Sequence, residues 1–484
     1  MRRVVIIACL LLVPGVARAV DAAPPAPLTL SVAEAVLASL ANNRALAVQR
    51  LAPAIARTGE LSARAPFDTQ LGGSATAAWE RSPLGAQQVF ADGDSQRLTL
   101  GATRLLPSGT TLGLEIDARR SSPPEAGQTR FGLSVTQALL QGFGSDANLA
   151  AVRQARIDTA LSEQELRGVT ESVVAQVEQA CWDYLLAGRR IEIVERSLRL
   201  AQDQLAEVRE RIAVGRVAEI EQAAAEAEVA LRRENLINAR SALATTRLKL
   251  LRLISPPGPG ALGRELVVTD LPTLSAADPD PVETHVALAV RLRPELVQAR
   301  LQLERGELEV VKTRNGLLPK LDLFVGLGQT GYASSFADSV DPGGRGRDVQ
   351  GGLTLSFPWE NRAARAAERR AALTRERAAE SIANLEQLVE VDVRGAWIEV
   401  ARLREQVAAT EASRRLQAEK LRAETEKFRV GKSTAYLVAQ AQRDLLQAES
   451  DAESAVAGCL AALVDLYRLE GSLLQRRGIS VAGR

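Results

Sequence analysis

Two long helical stretches, each interrupted once at a Val-Gly-basic tripeptide, constrain the fold of this chain more than any other feature. The interruptions are Val214-Gly215-Arg216 and Val430-Gly431-Lys432, and their glycines lie 216 positions apart. Apolar residues recur every seven positions in these stretches, as at Leu198 and Leu205. Sustained heptads predict helices packed along a coiled-coil seam, and glycine permits the left-handed turn that ends such a helix. We therefore predict two long antiparallel helical hairpins.

The two hairpins belong to an internal duplication. The stretch "ANNRALAVQRL" at 41–51 resembles "RLRPELVQARL" at 291–301 with an offset of 250, whereas the hairpin breaks have an offset of 216. The first copy therefore carries 34 additional residues before its break, and we assign them to about 96–129, where a Pro-Ser-Gly turn separates two alternating runs.

This duplication predicts the organisation of the whole chain. A signal peptide occupies 1–19. The first repeat spans 20–254, with a helix, strands at about 68–137 and a hairpin tip at 215. A Pro/Gly-rich linker at 255–280 leads to the second repeat at 281–474, with strands at about 320–358 and a tip at 431. A tail follows at 475–484.

The first residues predict export. Arg2 and Arg3 precede an apolar run at 4–13, and Ala17-Arg18-Ala19 is a small-x-small cleavage site. This pattern is typical of a secretory signal peptide that is removed after Ala19. A signal anchor is the alternative, but the apolar run is much shorter than the ~20 residues of a spanning helix. No other segment is long and apolar enough for a spanning helix, so we expect any membrane insertion to use β-strands.

Alternating segments precede each long hairpin. Leu112, Leu114 and Ile116 alternate with small or charged residues, and positions 321, 323, 325 and 327 form a similar apolar row in the second repeat. Period two with one apolar face predicts strands. A half-buried soluble sheet fits this pattern, but ~9–11-residue strands with a small or charged opposite face in an exported chain favour a transmembrane antiparallel β-barrel. Glu115 and Asp117 are the candidate lumen residues.

Composition argues against several function classes. Lys and Arg total 60 and Asp and Glu total 59, a balance that gives no indication of nucleic-acid binding. The single histidine, His285, has no ligand-type neighbours in the sequence, so we predict no metal site, no cofactor and no enzymatic activity. We expect Cys181 and Cys459 to be buried packing residues, because position 459 lies on the heptad seam.

The signal peptide, the two copies of helix, strands and hairpin, and the tip stretches "RIAVGRVAEIEQAAAEAEVA" and "KFRVGKSTAYLVAQAQRDLLQAE" together resemble the TolC family of outer-membrane efflux channels. The resemblance implies a TolC-like trimeric channel-tunnel built from two structural repeats. An all-α coiled-coil barrel would cross the periplasm, and a transmembrane antiparallel β-barrel would lie in the outer-membrane lipid. It also implies a passive exit duct of a tripartite efflux or type I secretion system, with a periplasmic adaptor (membrane fusion protein) and an inner-membrane pump of RND or ABC type as partners.

The resemblance also assigns roles to the tips. It implies that the adaptor-docking residues are Val214, Gly215, Arg216, Val430, Gly431 and Lys432. Family members with an acidic gate place aspartates six and nine residues after the second tip glycine, where this chain has Leu437 and Gln440. The first tip offers Glu219 and Glu221. We therefore expect a periplasmic gate that is partly apolar and partly formed by these glutamates.

Two alternatives stay open at this point. Familiar members carry two strands per repeat, so the 34 additional residues predict a further hairpin and six strands per protomer, or else a flap beside the sheet. A soluble periplasmic coiled-coil scaffold with a small closed sheet is the alternative function.

Overall fold

The computed structural model describes residues 27–84, 89–122, 126–215, 218–258, 260–274, 279–333 and 345–480. The helices are α1 (Val32–Asn42), α2 (Arg44–Gln49), α3 (Ala52–Arg64), α4 (Ser145–Asn148), α5 (Ala150–Ala213), α6 (Ile220–Ile254), α7 (Val282–Leu292), α8 (Pro294–Gly316), α9 (Arg362–Arg429), α10 (Ala435–Leu469) and α11 (Leu473–Arg476). The strands are β1 (Leu28–Leu30), β2 (Gln70–Leu84), β3 (Val89–Leu105), β4 (Thr110–Ser122), β5 (Ala126–Ala138), β6 (Leu266–Val268), β7 (Lys320–Ala333) and β8 (Arg345–Ser356). The predicted signal peptide lies outside the described residues.

Two helical hairpins dominate the fold. The first joins the 64-residue α5 to the 35-residue α6, and the second joins the 68-residue α9 to the 35-residue α10. At ~1.5 Å per residue the two longer helices extend about 96 Å and about 102 Å. Because α10 packs against α5 as well as α9, the two hairpins lie side by side. Both predicted hairpins are therefore present.

The predicted heptad positions supply much of the core between these helices. Val438, Ala452, Cys459 and Leu466 of α10 are all buried. Leu466 packs with Val400 of α9 in one core cluster, which shows that the seam joins the rising and returning helices. Cys459 and Cys181 are both free and fully buried, so the prediction that they are packing residues is confirmed.

The shorter helices before each sheet are equivalent in the two repeats. Leu46 and Leu296, which the 250-residue offset aligns, are both essentially inaccessible to solvent. A capping box begins α1: the Ser31 hydroxyl accepts a hydrogen bond from the Glu34 amide at 3.2 Å, and the Glu34 carboxylate accepts one from the Ser31 amide at 2.7 Å. These contacts fix where the first helix begins.

Six strands form one antiparallel sheet in the order β2-β3-β4-β5-β7-β8. β2 and β7 begin 250 residues apart, as the start of the duplication requires, whereas β5 and β8 follow the later offset of 216 to within a few residues. The inserted segment is therefore the β3–β4 hairpin, residues 89–122, which contains the 34 additional residues. The prediction of six strands is confirmed, although the insertion lies seven residues earlier than the assigned 96–129.

A separate two-stranded parallel sheet pairs β1 with β6 and ties the N-terminal segment to the linker. Within the described ranges, none of the helices combines the length and hydropathy needed to cross a membrane.

Candidate functional site

Both hairpin tips use glycine in the left-handed conformation. Gly215 has φ +71° and Gly431 has φ +74°, and an added Cβ at either position would meet nothing within 4 Å. Their amides donate to the carbonyl oxygens of Ile212 at 2.9 Å and Phe428 at 3.1 Å. A residue with a side chain is strained at such φ values. The tips therefore require glycine for the turn itself, and the space around each glycine is open.

The described docking candidates are all exposed. Val214 and Val430 keep 67% and 69% of their surface accessible, and Gly215, Gly431 and Lys432 are also exposed. Arg216 lies outside the described residues. A docking surface requires such exposure, and the docking role of these residues stays a prediction.

Two further exposed residues at the tips were missed by the sequence analysis. Ile220 and Tyr436, which the 216-residue offset aligns, are 79% and 61% accessible. Each lies five residues after its tip glycine, so each tip presents a valine before the glycine and a large apolar residue after it. The 216-residue offset that aligns the two tip glycines is the sequence signal that pairs these two residues.

A small apolar cluster holds the two tips together. Phe428 of α9 is buried with Val208 of α5 and with Ala435 and Val438 of α10. The Arg211 guanidinium lies 4.1 Å from the centre of the Phe428 ring and donates to the Phe428 carbonyl oxygen at 2.9 Å. This contact joins α5 to the end of α9, so the two tips form one surface rather than two independent loops.

The gate candidates lie at the beginnings of the two returning helices. Glu219 is exposed just before α6, and Glu221 is half-buried in its first turn. Leu437 and Gln440 are exposed on α10 and share one face because they are three residues apart. Glu221 and Leu437 occupy equivalent repeat positions. The partly acidic, partly apolar gate stays a prediction.

A charged triad between the hairpins was also missed. The Glu228 carboxylate of α6 contacts Arg232 of α6 at 3.4 Å and forms an ion pair with Arg443 of α10. Arg232 is almost fully buried, and this burial lowers the pKa of its guanidinium, which Glu228 counteracts. Charged residues on a helix usually indicate a solvated face, so the sequence alone gave no sign that these three residues meet between the hairpins.

His285 has a partner that the sequence did not reveal. Its ring is buried, and Nδ1 contacts the buried carboxylate of Glu470. Glu470 also accepts from the Arg476 guanidinium at 2.9 Å. The sequence analysis found no ligand-type neighbour for His285, because Glu470 lies 185 residues further along the chain. A histidine with one carboxylate that is itself paired to arginine is typical of a structural hydrogen bond rather than a metal site.

The lumen candidates lie on the polar face of the sheet. Asp117 pairs with Arg97 at 2.9 Å and accepts from the Thr99 hydroxyl at 3.3 Å. Glu115 lies between Gly101 and Gly132 in the strand register, so its neighbours on both sides leave space around it. Their role in a lumen stays a prediction.

The sequence model of the family described as outer membrane efflux protein matches residues 36–255 and 286–472, which covers both repeats. The chain belongs to this family. No curated relative matches the chain in sequence.

Solved structures agree in fold. CusC matches with a TM-score of 0.71 and 16% identity over 91% of this chain and 92% of that one. OprN matches with a TM-score of 0.71 and 17% identity over 91% and 90%. CmeC of Campylobacter jejuni matches with a TM-score of 0.69 and 16% identity over 91% and 86%. At these identities the likeness concerns the fold, which is that of TolC-like channels.

Membership of this family confirms the predicted location and class. The chain is an outer-membrane efflux channel protein whose long helices extend into the periplasm, and it is a transport duct rather than an enzyme. Channels of this family are homotrimers that work with adaptor and inner-membrane pump partners. The alternative of a soluble periplasmic scaffold is therefore wrong.

Proposed function

We propose that this protein is the passive exit duct of a tripartite efflux or type I secretion system, and that its two tips dock the periplasmic adaptor. The single observation that carries the docking assignment is the repeated exposed pattern at the tips, a valine before a left-handed glycine and a large apolar residue five positions after it. An open glycine turn lets the backbone of a partner approach closely. The exposed apolar residues supply the contact area.

The gate is proposed to lie just beyond the docking surface. Glu219 and Glu221 of the first hairpin and Leu437 and Gln440 of the second would line the periplasmic entrance, a short distance along the returning helices from the tip glycines. An adaptor bound at the tips would then be well placed to move these residues. The genes for the adaptor and the inner-membrane pump are expected beside the gene for this chain. The neighbouring pump gene would then identify the pump as RND or ABC.

The docking proposal is tested with Gly215→Asp combined with Gly431→Asp. We expect this variant to form trimers in the outer membrane and to conduct ions in planar bilayers, but to lose export in cells and cross-linking to the adaptor. The two Asp side chains would add volume and negative charge at the tip glycines, where the adaptor backbone is proposed to approach most closely.

The chain offers a matched control. Gly260 and Gly478 have φ +71° and +66° and are also open around an added Cβ, but they lie far from the tips in the chain. Gly260→Asp combined with Gly478→Asp carries similar backbone strain and the same charge, and should export normally. Normal export by the tip variant would refute the docking assignment.

A further inference from the structure

The inserted β3–β4 hairpin continues the apolar face of the sheet without a break. The strand register aligns one residue from each of the six strands in a single row across this face. That row contains Leu71, Ala102, Leu114, Leu133, Leu327 and Val349. Leu100, Leu112 and Ile116 extend the face along the hairpin, and all are more than one-third accessible. A flap beside the sheet would not need an apolar face in register with the other four strands.

The opposite face of the hairpin is also continuous with its neighbours. The equivalent row there contains Gly72, Gly101, Glu115, Gly132, Gly328 and Asp348. Ion pairs on this face join neighbouring strands, with Arg97–Asp117 between β3 and β4 and Arg130–Asp348 between β5 and β8, across β7. Small and charged residues opposite an apolar face are typical of the water-filled side of an outer-membrane barrel.

The sheet edges determine how copies of this chain meet. β2 and β8 are the outer strands, and within the described residues their outer edges pair with no other strand. An open edge is not tolerated in lipid, because its backbone groups have no water to bond. The six strands alternate in direction, so β8 of one copy is antiparallel to β2 of the next. A second copy of this chain is therefore the natural occupant of each edge.

We propose that three copies of this chain close one barrel of eighteen strands, with the β3–β4 hairpin of every copy built into its wall. This inference rests on the proposed duct and on the trimeric state of the family. With strands ~4.8 Å apart and tilted by ~40°, the backbone diameter is about 36 Å, against about 24 Å for the twelve strands that four per copy would give. Size selection then falls at the periplasmic tips, because the outer-membrane mouth is too wide to be the constriction.

Alternate-face labelling tests whether the hairpin lies in the wall. Single cysteines replace Leu100 and Leu114 on the apolar face, and Thr99 and Glu115 on the polar face, of the full-length protein in lipid vesicles. The reference positions are Leu133 and Ser134 of β5, which is not part of the insertion. The probe is a water-soluble maleimide, and the labelling of unsubstituted protein is subtracted as the background from the natural cysteines.

We expect the polar-face cysteines to react at least tenfold faster than the apolar-face cysteines, as at the reference pair. Equal reaction on both faces of the hairpin, with the contrast at Leu133 and Ser134 preserved, would make the hairpin a flap and overturn the proposal while leaving the duct intact. Loss of contrast at the reference pair as well would refute the proposed membrane duct itself.

Barrel size is measured separately from face exposure. Class averages of trimers viewed along their axis should show a β-wall about one and a half times wider than a twelve-stranded wall. A variant lacking residues 89–122 would pair β2 directly with β5, as β7 pairs with β8, and should narrow the wall by about one-third. A wall of twelve-stranded width in the unmodified protein would overturn the proposal. Chemical cross-linking of the unmodified protein that yields at most two joined copies would do the same. Neither result depends on the folding of the deletion variant.

Discussion

Glu228 is predicted to be the main charge that keeps the two hairpins of a protomer together near the tips. Its carboxylate lies between the buried Arg232 of its own helix and Arg443 of α10. Glu228→Gln preserves the shape of the side chain but leaves two guanidinium groups facing a neutral amide. Because Arg232 is only 2% accessible, water cannot replace the lost carboxylate.

The magnitude follows from this burial. Removing one partner of a buried ion pair typically costs 3–5 kcal/mol, and since Arg443 is partly accessible we expect about 3 kcal/mol. At ~1.4 kcal/mol per factor of ten, the closed arrangement of the tips would lose roughly a hundredfold in its equilibrium with an open one. Glu226→Gln is the matched control, because Glu226 pairs with Arg209 inside the first hairpin and both side chains are about half exposed. Such an exposed pair contributes little to stability, because water screens both charges.

The assay is the open probability of single channels in planar bilayers. We expect channels of the Glu228→Gln variant to open much more often than those of the unmodified protein. Channels of the Glu226→Gln variant should open as rarely as those of the unmodified protein. Arg443→Gln and the double variant complete a thermodynamic cycle, in which the Glu228–Arg443 coupling should exceed about 1 kcal/mol. If Glu228→Gln and Glu226→Gln have the same open probability, the triad does not hold the hairpins together and the reasoning fails.

Three further predictions concern stability. Burial raises the pKa of the Glu171 carboxyl to about 7, so the protein loses stability as pH rises from about 4.5 to 7. At pH 8, Glu171→Gln should therefore unfold at a higher temperature than the unmodified protein, because its free energy of unfolding is larger by on the order of 2 kcal/mol. This gain should vanish near pH 4.5. Phe428→Ala should cost about 3 kcal/mol and speed tryptic cleavage near the tips, whereas Leu416→Ala, at an exposed position of α9, should not. Gly471→Ala places a Cβ 2.9 Å from the backbone of Arg293 at φ +71° and should lower the unfolding temperature far more than Gly478→Ala, which has a similar φ and open space.

The features that sequence predicted well are those set by local periodicity. Val438, Ala452, Cys459 and Leu466 are spaced by multiples of seven and are buried, because a heptad keeps one face of the helix on the seam. The six strands were predicted for a similar reason, since a period of two and the difference between two repeat offsets are properties of the chain alone. The glycine turns belong to the same class, because only glycine is at ease at φ near +70°.

The features that sequence did not predict depend on which helix of the other repeat lies opposite. Glu228 and Asp444 are aligned by the 216-residue offset and are both acidic, yet their surroundings differ. Asp444 pairs with Lys420 at 2.7 Å inside the second hairpin, whereas Glu228 reaches across to the other hairpin. The position four residues later is Arg232 in the first repeat and Ala448 in the second, so only the first repeat buries a cation that needs the carboxylate.

This asymmetry bears on how the tips could open. Both hairpins turn at an equivalent glycine and expose equivalent apolar residues, so an adaptor would meet two similar surfaces. The charges that join the hairpins come largely from positions that are not equivalent, such as Glu228 on α6 and Arg443 on α10. A movement of α6 away from α10 breaks that pair but leaves Lys420–Asp444 intact within the second hairpin. The first hairpin is therefore expected to be the one whose returning helix moves, and an engineered disulfide between α6 and α10 near Glu228 should lock the channel closed, whereas one between α9 and α10 should not.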